Sequence, residues 1–141
     1  MRFLDRLQPL ALLALRIVLG AIMIGHGYPK IFGGLSHHME TVYRIGFPAW
    51  VGYLSAGTEF FGGMLMIAGL LTRLVGFAMC FEMTVAILKL HLKNGMIGQG
   101  GYEFPLSLGT MAFALIFLGA GPISLDAVVR RGGVGGGKKS R

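Results

Sequence analysis

Charge is scarce in this sequence. Only 13% of its 141 residues are Asp, Glu, Lys or Arg, and 54% are hydrophobic. An average soluble domain carries about 25% charged and about 45–50% apolar residues. A chain so composed cannot cover a water-facing surface, so much of its apolar surface must face lipid. Its length suits one domain. Cysteine is almost missing: Cys80 stands alone inside an apolar run. One thiol closes no internal disulfide, and without a CxxC pair a membrane disulfide-exchange enzyme is excluded. Cys80 reads as a small buried hydrophobe. The six acidic residues are outnumbered by thirteen Lys and Arg. The net charge of +7 does not point to nucleic acid, because no basic patch is interleaved with aromatics. The period-2 alternation of a membrane barrel is absent, as are a phosphate-cradling glycine loop and a readable Ser–His–Asp arrangement. The chain has no redox cofactor motif either, so any electron transfer must borrow a cofactor.

Long apolar runs are what the sequence has. A spanning helix needs about 20 mainly apolar residues, and four runs qualify, at about 10–31, 48–71, 74–92 and 104–120. Pro9, Pro48 and Pro105 stand at helix starts, where a missing N–H costs least, and Gly121-Pro122 is a stop. The first run is too long for a cleaved signal peptide and lacks a small-x-small site. The expectation is an all-α integral membrane four-helix bundle over 1–131, with a disordered Gly/Lys tail at 132–141. Thr72-Arg73 predicts a tight turn that makes the second and third helices antiparallel neighbours. The stretch 32–47 reads as a polar loop and 93–103 as a glycine-rich one. The stretch 124–131 reads as a short interfacial helix with Ser124 as its N-cap. Gly52, Ala56, Gly62, Gly63 and Gly69 let backbones approach in lipid and predict a central second helix.

Charge placement predicts orientation. Arg2, Arg6, Arg73, Arg130, Arg131, Lys138, Lys139 and Arg141 collect on one side, eight in all, against Lys30, Arg44, Lys89 and Lys93 on the other. The expectation is a multi-pass protein of the bacterial inner (plasma) membrane with both termini cytoplasmic, which also requires an even number of spans.

Charges inside the spans carry the functional expectation, since each is costly in hydrocarbon and calls for a partner. Arg16 lies about 9 Å from the cytoplasmic end of the first helix, Glu82 about 12 Å along the third, and Glu59 about 16 Å down the second from outside. Arg16 is therefore expected to pair with Glu59 or Glu82, either as an inert register-fixing pair or as part of a proton relay or ligand pocket. A second group lies near the outer face: His26 and Lys30 on one helical face, Lys89, His91 and Glu103. Together they suggest a polar pocket under the outer loops; individually the lysines would snorkel. Haem ligation by His26 and His91, and a metal at His37-His38 with Glu40, are both disfavoured, the first because His91 is too near water. The second fails because adjacent histidines point apart.

The motifs Arg16-Ile-Val-Leu-Gly20, Gly25-His26-Gly27-Tyr28-Pro29-Lys30 and Glu59-Phe60-Phe61-Gly62-Gly63 resemble the DoxX family. So do Gly69-Leu70-Leu71-Thr72-Arg73, His91 with Asn94-Gly95, Gly101-Tyr102-Glu103-Phe104-Pro105-Leu106, and Gly121-Pro122-Ile123-Ser124-Leu125-Asp126. The resemblance runs from about Leu10 to Asp126. It implies a small four-helix inner-membrane protein whose family takes its name from association with a thiosulfate:quinone oxidoreductase. Arg16, Lys30, Glu59, Arg73, His91 and Glu103 match the family pattern; Glu82 and Lys89 rest on the charge reading alone. The expected function is that of a non-catalytic subunit or accessory of a quinone-linked membrane redox system. It would have no intrinsic cofactor, a possible quinone ligand, and membrane lipid, a redox enzyme and further copies of itself as candidate partners. The alternative is a small transporter or channel moving a proton or solute through an oligomer.

Overall fold

A computed structural model describes residues 2–134. Among them, four long helices form the bundle: α1 (Gln8–Ile31), α3 (51–68), α4 (Thr72–Asn94) and α5 (Glu103–Leu118). A single turn, Arg2–Asp5, precedes α1, and two longer helices sit at opposite ends, α2 (Leu35–Arg44) between α1 and α3, and α6 (Leu125–Val134) after α5. Residues Gln8–Ile31 and Thr72–Asn94 are long and apolar enough to cross a membrane, and Glu103–Leu118 is a shorter apolar helix. At 1.5 Å per residue, α3 and α5 span roughly 27 and 24 Å, slightly under a hydrocarbon core of about 30 Å.

The expected boundaries shift where local chemistry decides. The second helix ends at Ala68 rather than 71, because Gly69 turns left-handed with φ 68°. Leu71 follows with φ 53°, a strained value for a side-chain-bearing residue, and α4 starts at Thr72. The tight turn is thus 69–71. The stretch 32–47 is not simply a polar loop. Its 35–44 portion is a helix that turns Leu35, His38, Met39 and Val42 inward and leaves Ser36, His37, Glu40, Tyr43 and Arg44 exposed. The terminal helix forms as expected, with Ser124 Oγ accepting from Ala127 N at 3.2 Å, and continues through 134. The remainder of the expected tail, 135–141, lies outside the described residues.

Packing pairs α1 with α3 and α4 with α5. Glycines set the first contact. A Cβ at Gly20 would stand 2.6 Å from the carbonyl oxygen of Gly63, and one at Gly63 would stand 2.7 Å from that of Gly20. Gly27 repeats the pattern, 2.5 Å from Phe60 N. On the other pair, Gly76 faces the carbonyl of Ala112 and Gly109 faces Met83. Between the pairs lies one core of Leu19, Met23, Met66, Met79, Leu108 and Leu115, with half-buried Cys80 packed on it. Large apolar side chains such as Phe77, Phe81, Phe113 and Phe117 are exposed on the outside of α4 and α5, as a lipid-facing surface requires.

Since backbone carbonyls oppose each other at Gly20 and Gly63, Gly63→Val must force α1 and α3 apart. It should cost about 1–3 kcal/mol, the usual penalty for overpacking, read as a lower unfolding midpoint in detergent. Gly25→Val, where a Cβ meets nothing within 4 Å, should leave that midpoint unchanged.

Candidate functional site

The α1–α3 register places Lys30 beside Glu59. Gly27, one turn earlier, lacks the side chain that would strike Glu59 Cβ at 2.9 Å, so the end of α1 lies close on α3. Lys30 Nζ then reaches Glu59 Oε1 at 2.5 Å, with the Glu59 side chain only 7% exposed. Glu59 sits in a π-helical turn, Thr58–Gly62, and a second π turn covers Ile87–His91 in α4. Such turns insert a residue into the helical register and recur at functional sites. Both occur in the half of the bundle nearest α2.

Between α2, α3 and α4 this half holds a cavity of about 480 Å³. Its polar lining comprises Lys30, His38, Thr41, Ser55, Thr58, Glu59 and Glu82. The rest is apolar, with Phe47, Leu54, Phe81 and Leu90 among the walls. Ser55, one turn before Glu59, donates its hydroxyl proton to Glu82 Oε1. Having spent its single hydrogen, Ser55 Oγ accepts from His38 Nε2 at 3.1 Å. His38, Ser55 and Glu82 therefore form a hydrogen-bonded chain from α2 to the middle of α4. Burial, with Lys30 and His37 nearby, lowers the His38 imidazole from 6.5 to about 4. The second oxygens of Glu59 and Glu82 are buried without a protein partner, so both carboxyls keep an acceptor for something polar. An apolar cavity with a few convergent polar groups is what a small-molecule site looks like.

Arg16 is not part of this site. It pairs with neither Glu59 nor Glu82; its Nη2 donates to the carbonyl oxygen of Ile123, and its guanidinium lies against Gly69. The reason is register. Gly20 faces Gly63, so Arg16 comes opposite 67–69, roughly 15 Å along the bundle from Glu59. Depth alone, counted separately on each helix, could not show this. Asp126 completes the Arg16 end: its oxygens accept from Leu71 N at 2.8 Å and Thr72 N at 3.0 Å, and its own N–H donates to Gly69 O at 2.9 Å. Burial pushes the Asp126 carboxyl up, but those two N–H donors and the charge of Arg130 outweigh it and hold it below the usual carboxylate value.

The outer group does not converge either. Lys30 turns into the cavity. His91 Nδ1 lies 2.8 Å from Gly100 O, which Asn94 Nδ2 also holds at 2.9 Å, so these residues pin the glycine-rich loop. His26 is exposed, its ring 5.6 Å from that of Phe104. Lys89 is exposed with Nζ 5.8 Å from the Phe47 ring centroid, a cation–π distance, and Glu103 is exposed at the start of α5. The π turn at Ile87–His91 accounts for Lys89 leaving the face of Glu82, since the seven-residue spacing shares a face only in a regular helix. Ser55 escaped the sequence reading, and His38 entered it only as a disfavoured metal ligand. Ser55 was findable as the residue one turn from Glu59, and His38 as an inward position of an amphipathic decapeptide.

The DoxX family model matches residues 11–92. CatD of Bacillus subtilis, named provisionally as an oxidoreductase, is 32% identical over 120 residues, covering 85% of this chain and 87% of CatD. An uncharacterized protein of Haemophilus influenzae is 33% identical over 135 residues, covering 89% of this chain and 96% of that protein. A second uncharacterized Haemophilus influenzae protein is 30% identical over 80 residues, 56% of this chain and 53% of its own length. No solved structure matches. With its apolar helices, its glycine-set packing and a family match over more than half its length, this chain belongs to the DoxX family of membrane proteins.

Proposed function

We propose that this chain is a membrane subunit serving a quinone-linked redox enzyme, with the cavity between α2, α3 and α4 as the quinone-headgroup site. The observation that carries this reading is the meeting of two hydrogen-bonding stations, Lys30–Glu59 and His38–Ser55–Glu82, on one apolar cavity. A quinone headgroup is an apolar ring with oxygens on opposite edges. Phe47 and Phe81 offer walls, and Glu59 and Glu82, each with one carboxyl oxygen that has no protein partner, line the same cavity as candidate acceptors for the two hydroxyls of its reduced form. A bound quinone supplies a two-electron, two-proton couple; the partner enzyme supplies or takes the electrons. CatD's name favours a redox context for the family.

This chain's own task is the proton. With Glu82 protonated the chain runs in the opposite sense, Glu82 donating to Ser55 Oγ and Ser55 to a bare His38 Nε2 in the Nδ1–H tautomer. The Glu82 proton passes to Ser55 Oγ as the Ser55 proton passes to Nε2. His38 then releases its Nδ1 proton, and the hydrogen bonds are left running from His38 through Ser55 to Glu82. Burial, and after it Lys30 and His37, disfavour the imidazolium, so His38 suits release rather than storage. The helix that carries it, α2, lies at the end opposite the basic cluster. That end is the periplasmic one if the charge asymmetry sets orientation, with α1, α3, α4 and α5 as the four spans and both termini cytoplasmic.

Photolabelling tests the site. A photoreactive short-chain quinone should label peptides within 47–58 or 78–90, and excess unlabelled quinone should suppress it. Glu82→Gln should weaken binding about 10-fold or more, the scale of losing one charge-assisted hydrogen bond. Labelling that ignores competitor, or maps elsewhere, rules the site out.

Acid titration tests the proton path. The folded-state value of His38 lies below its unfolded value, so its contribution to stability is complete above about 6.5 and is lost as pH falls through about 4. Histidine-resolved NMR should find the His38 ring neutral at pH 5, and His38→Gln should remove part of the fall in melting temperature between pH 6.5 and 4. A His38 ring already charged at pH 6 would contradict the path.

Reporter fusions test orientation. Fusions after Thr72 and after Arg131 should read cytoplasmic, and one at Ser36 periplasmic; a periplasmic C-terminal fusion would reverse the assignment.

A further inference from the structure

The end of the bundle opposite the carboxylate cavity carries a second, larger depression of about 920 Å³, between the start of α4, the 119–122 loop and α6. Three guanidinium groups line it, those of Arg73, Arg130 and Arg131. Arg73 lies across Gly119, its Nε 3.4 Å and Nη2 3.6 Å from where a Cβ at 119 would stand. Those are ordinary contact distances; glycine suits position 119 because its φ is 73°. Asp126 is the one carboxylate on the wall, so three cations meet one anion and the depression is net +2. Both Asp126 oxygens are already engaged by the N–H groups of Leu71 and Thr72. Among the described residues, none of the three arginines is in an ion pair. The walls between the charges are apolar and exposed, made by Leu71, Leu74, Leu118 and Val129.

We propose that this depression holds the phosphodiester headgroup of an anionic phospholipid. Guanidinium forks match phosphate oxygens bidentately, and basic pockets between membrane helices at the cytoplasmic side hold such headgroups. The apolar walls decide the source of the phosphate. A free anion would use the arginines and leave Leu71, Leu74, Leu118 and Val129 wet. A lipid sets its phosphate on the arginines and lays its acyl chains along those side chains. The depression also lies at the helix ends, where headgroups sit. α6 is held there by Asp126 on the 69–72 turn and by buried Ala127, so Arg130 and Arg131 are presented on an anchored helix. An acidic protein partner fits less well, since the charges are embedded among lipid-facing apolar groups rather than on a projecting surface.

Native mass spectrometry of the full chain, released from vesicles of equal phosphatidylglycerol and phosphatidylcholine, tests this. The wild-type protein should retain phosphatidylglycerol in preference. Each Arg→Gln change at 73, 130 or 131 should weaken that retention about fivefold, the scale of one basic residue at an anionic surface. Arg130 and Arg131 are exposed and outside the core, so their variants remain folded. Arg44→Gln, at the opposite end where Arg44 bonds Glu40, should retain phosphatidylglycerol as the wild type does. In phosphatidylcholine vesicles, added phosphatidylglycerol should raise the melting temperature and inorganic phosphate should not. Equal retention of the two lipids, an undiminished preference in the Arg130→Gln/Arg131→Gln variant, or equal stabilisation by inorganic phosphate would each overturn the proposal.

Discussion

The contact of Gly20 with Gly63 sets the register on which the rest of the molecule depends. Two backbones meet there with carbonyl oxygens where side chains would otherwise stand. In lipid there is little hydrophobic gain from bringing helices together, so close packing and interhelical polar contacts hold the bundle. Once that contact is fixed, every other residue of α1 has its neighbour on α3 assigned. Lys30 meets Glu59, and Arg16 meets the left-handed turn at Gly69. A shift of one helical turn would strand a lysine and a glutamate in surroundings where an unpaired charge is expensive.

That register separates two kinds of polar chemistry. At one end the carboxylates are gathered: Glu59 neutralised by Lys30, Glu82 held by Ser55 and, through it, by His38. At the other the guanidinium groups are gathered, with Arg16 spent on a backbone carbonyl and Asp126 spent on backbone N–H groups. The first end, with carboxyls set among apolar walls, is suited to a small neutral molecule that exchanges protons. The second, with three guanidinium groups, is suited to a fixed anion at the membrane surface. Arg16 and Asp126 serve mainly to fasten α6 to the turn between α3 and α4, which positions the arginines beyond them.

The two π-helical turns act on the same half of the bundle. In a regular helix Glu82 and Lys89 would share a face, and Ser55 and Glu59 would lie one above the other along α3. The turn in α4 releases Lys89 to the Phe47 ring, while Glu82, before it, stays inside. In α3 the turn starts directly before Glu59, so Ser55 and Glu59 both line the cavity while engaging different partners.

Much of this protein was legible in its sequence because the bilayer restricts what a chain can do. Long apolar runs in a charge-poor chain have to become helices, since a helix satisfies its own backbone, and the prolines and glycines at their ends mark where they start and stop. The closely spaced glycines predicted close packing, Ser124 predicted a capped terminal helix, and the family motifs from Arg16 to His91 fall within the matched residues 11–92. Pairing was not legible. Depth along a single helix put Arg16 near Glu82, but depth says nothing about rotation or about which helix stands opposite. Only the Gly20–Gly63 contact fixes both, and it gives Lys30 rather than Arg16 to Glu59. The α2 helix was hidden by its polar composition, and with it the inward position of His38. The sequence by itself determined which segments form long apolar helices and which residues carry charge within them. The tertiary structure decided which charges meet, because pairing depends on interhelical register to within a few ångströms, and register is settled by backbone contacts between residues more than forty positions apart.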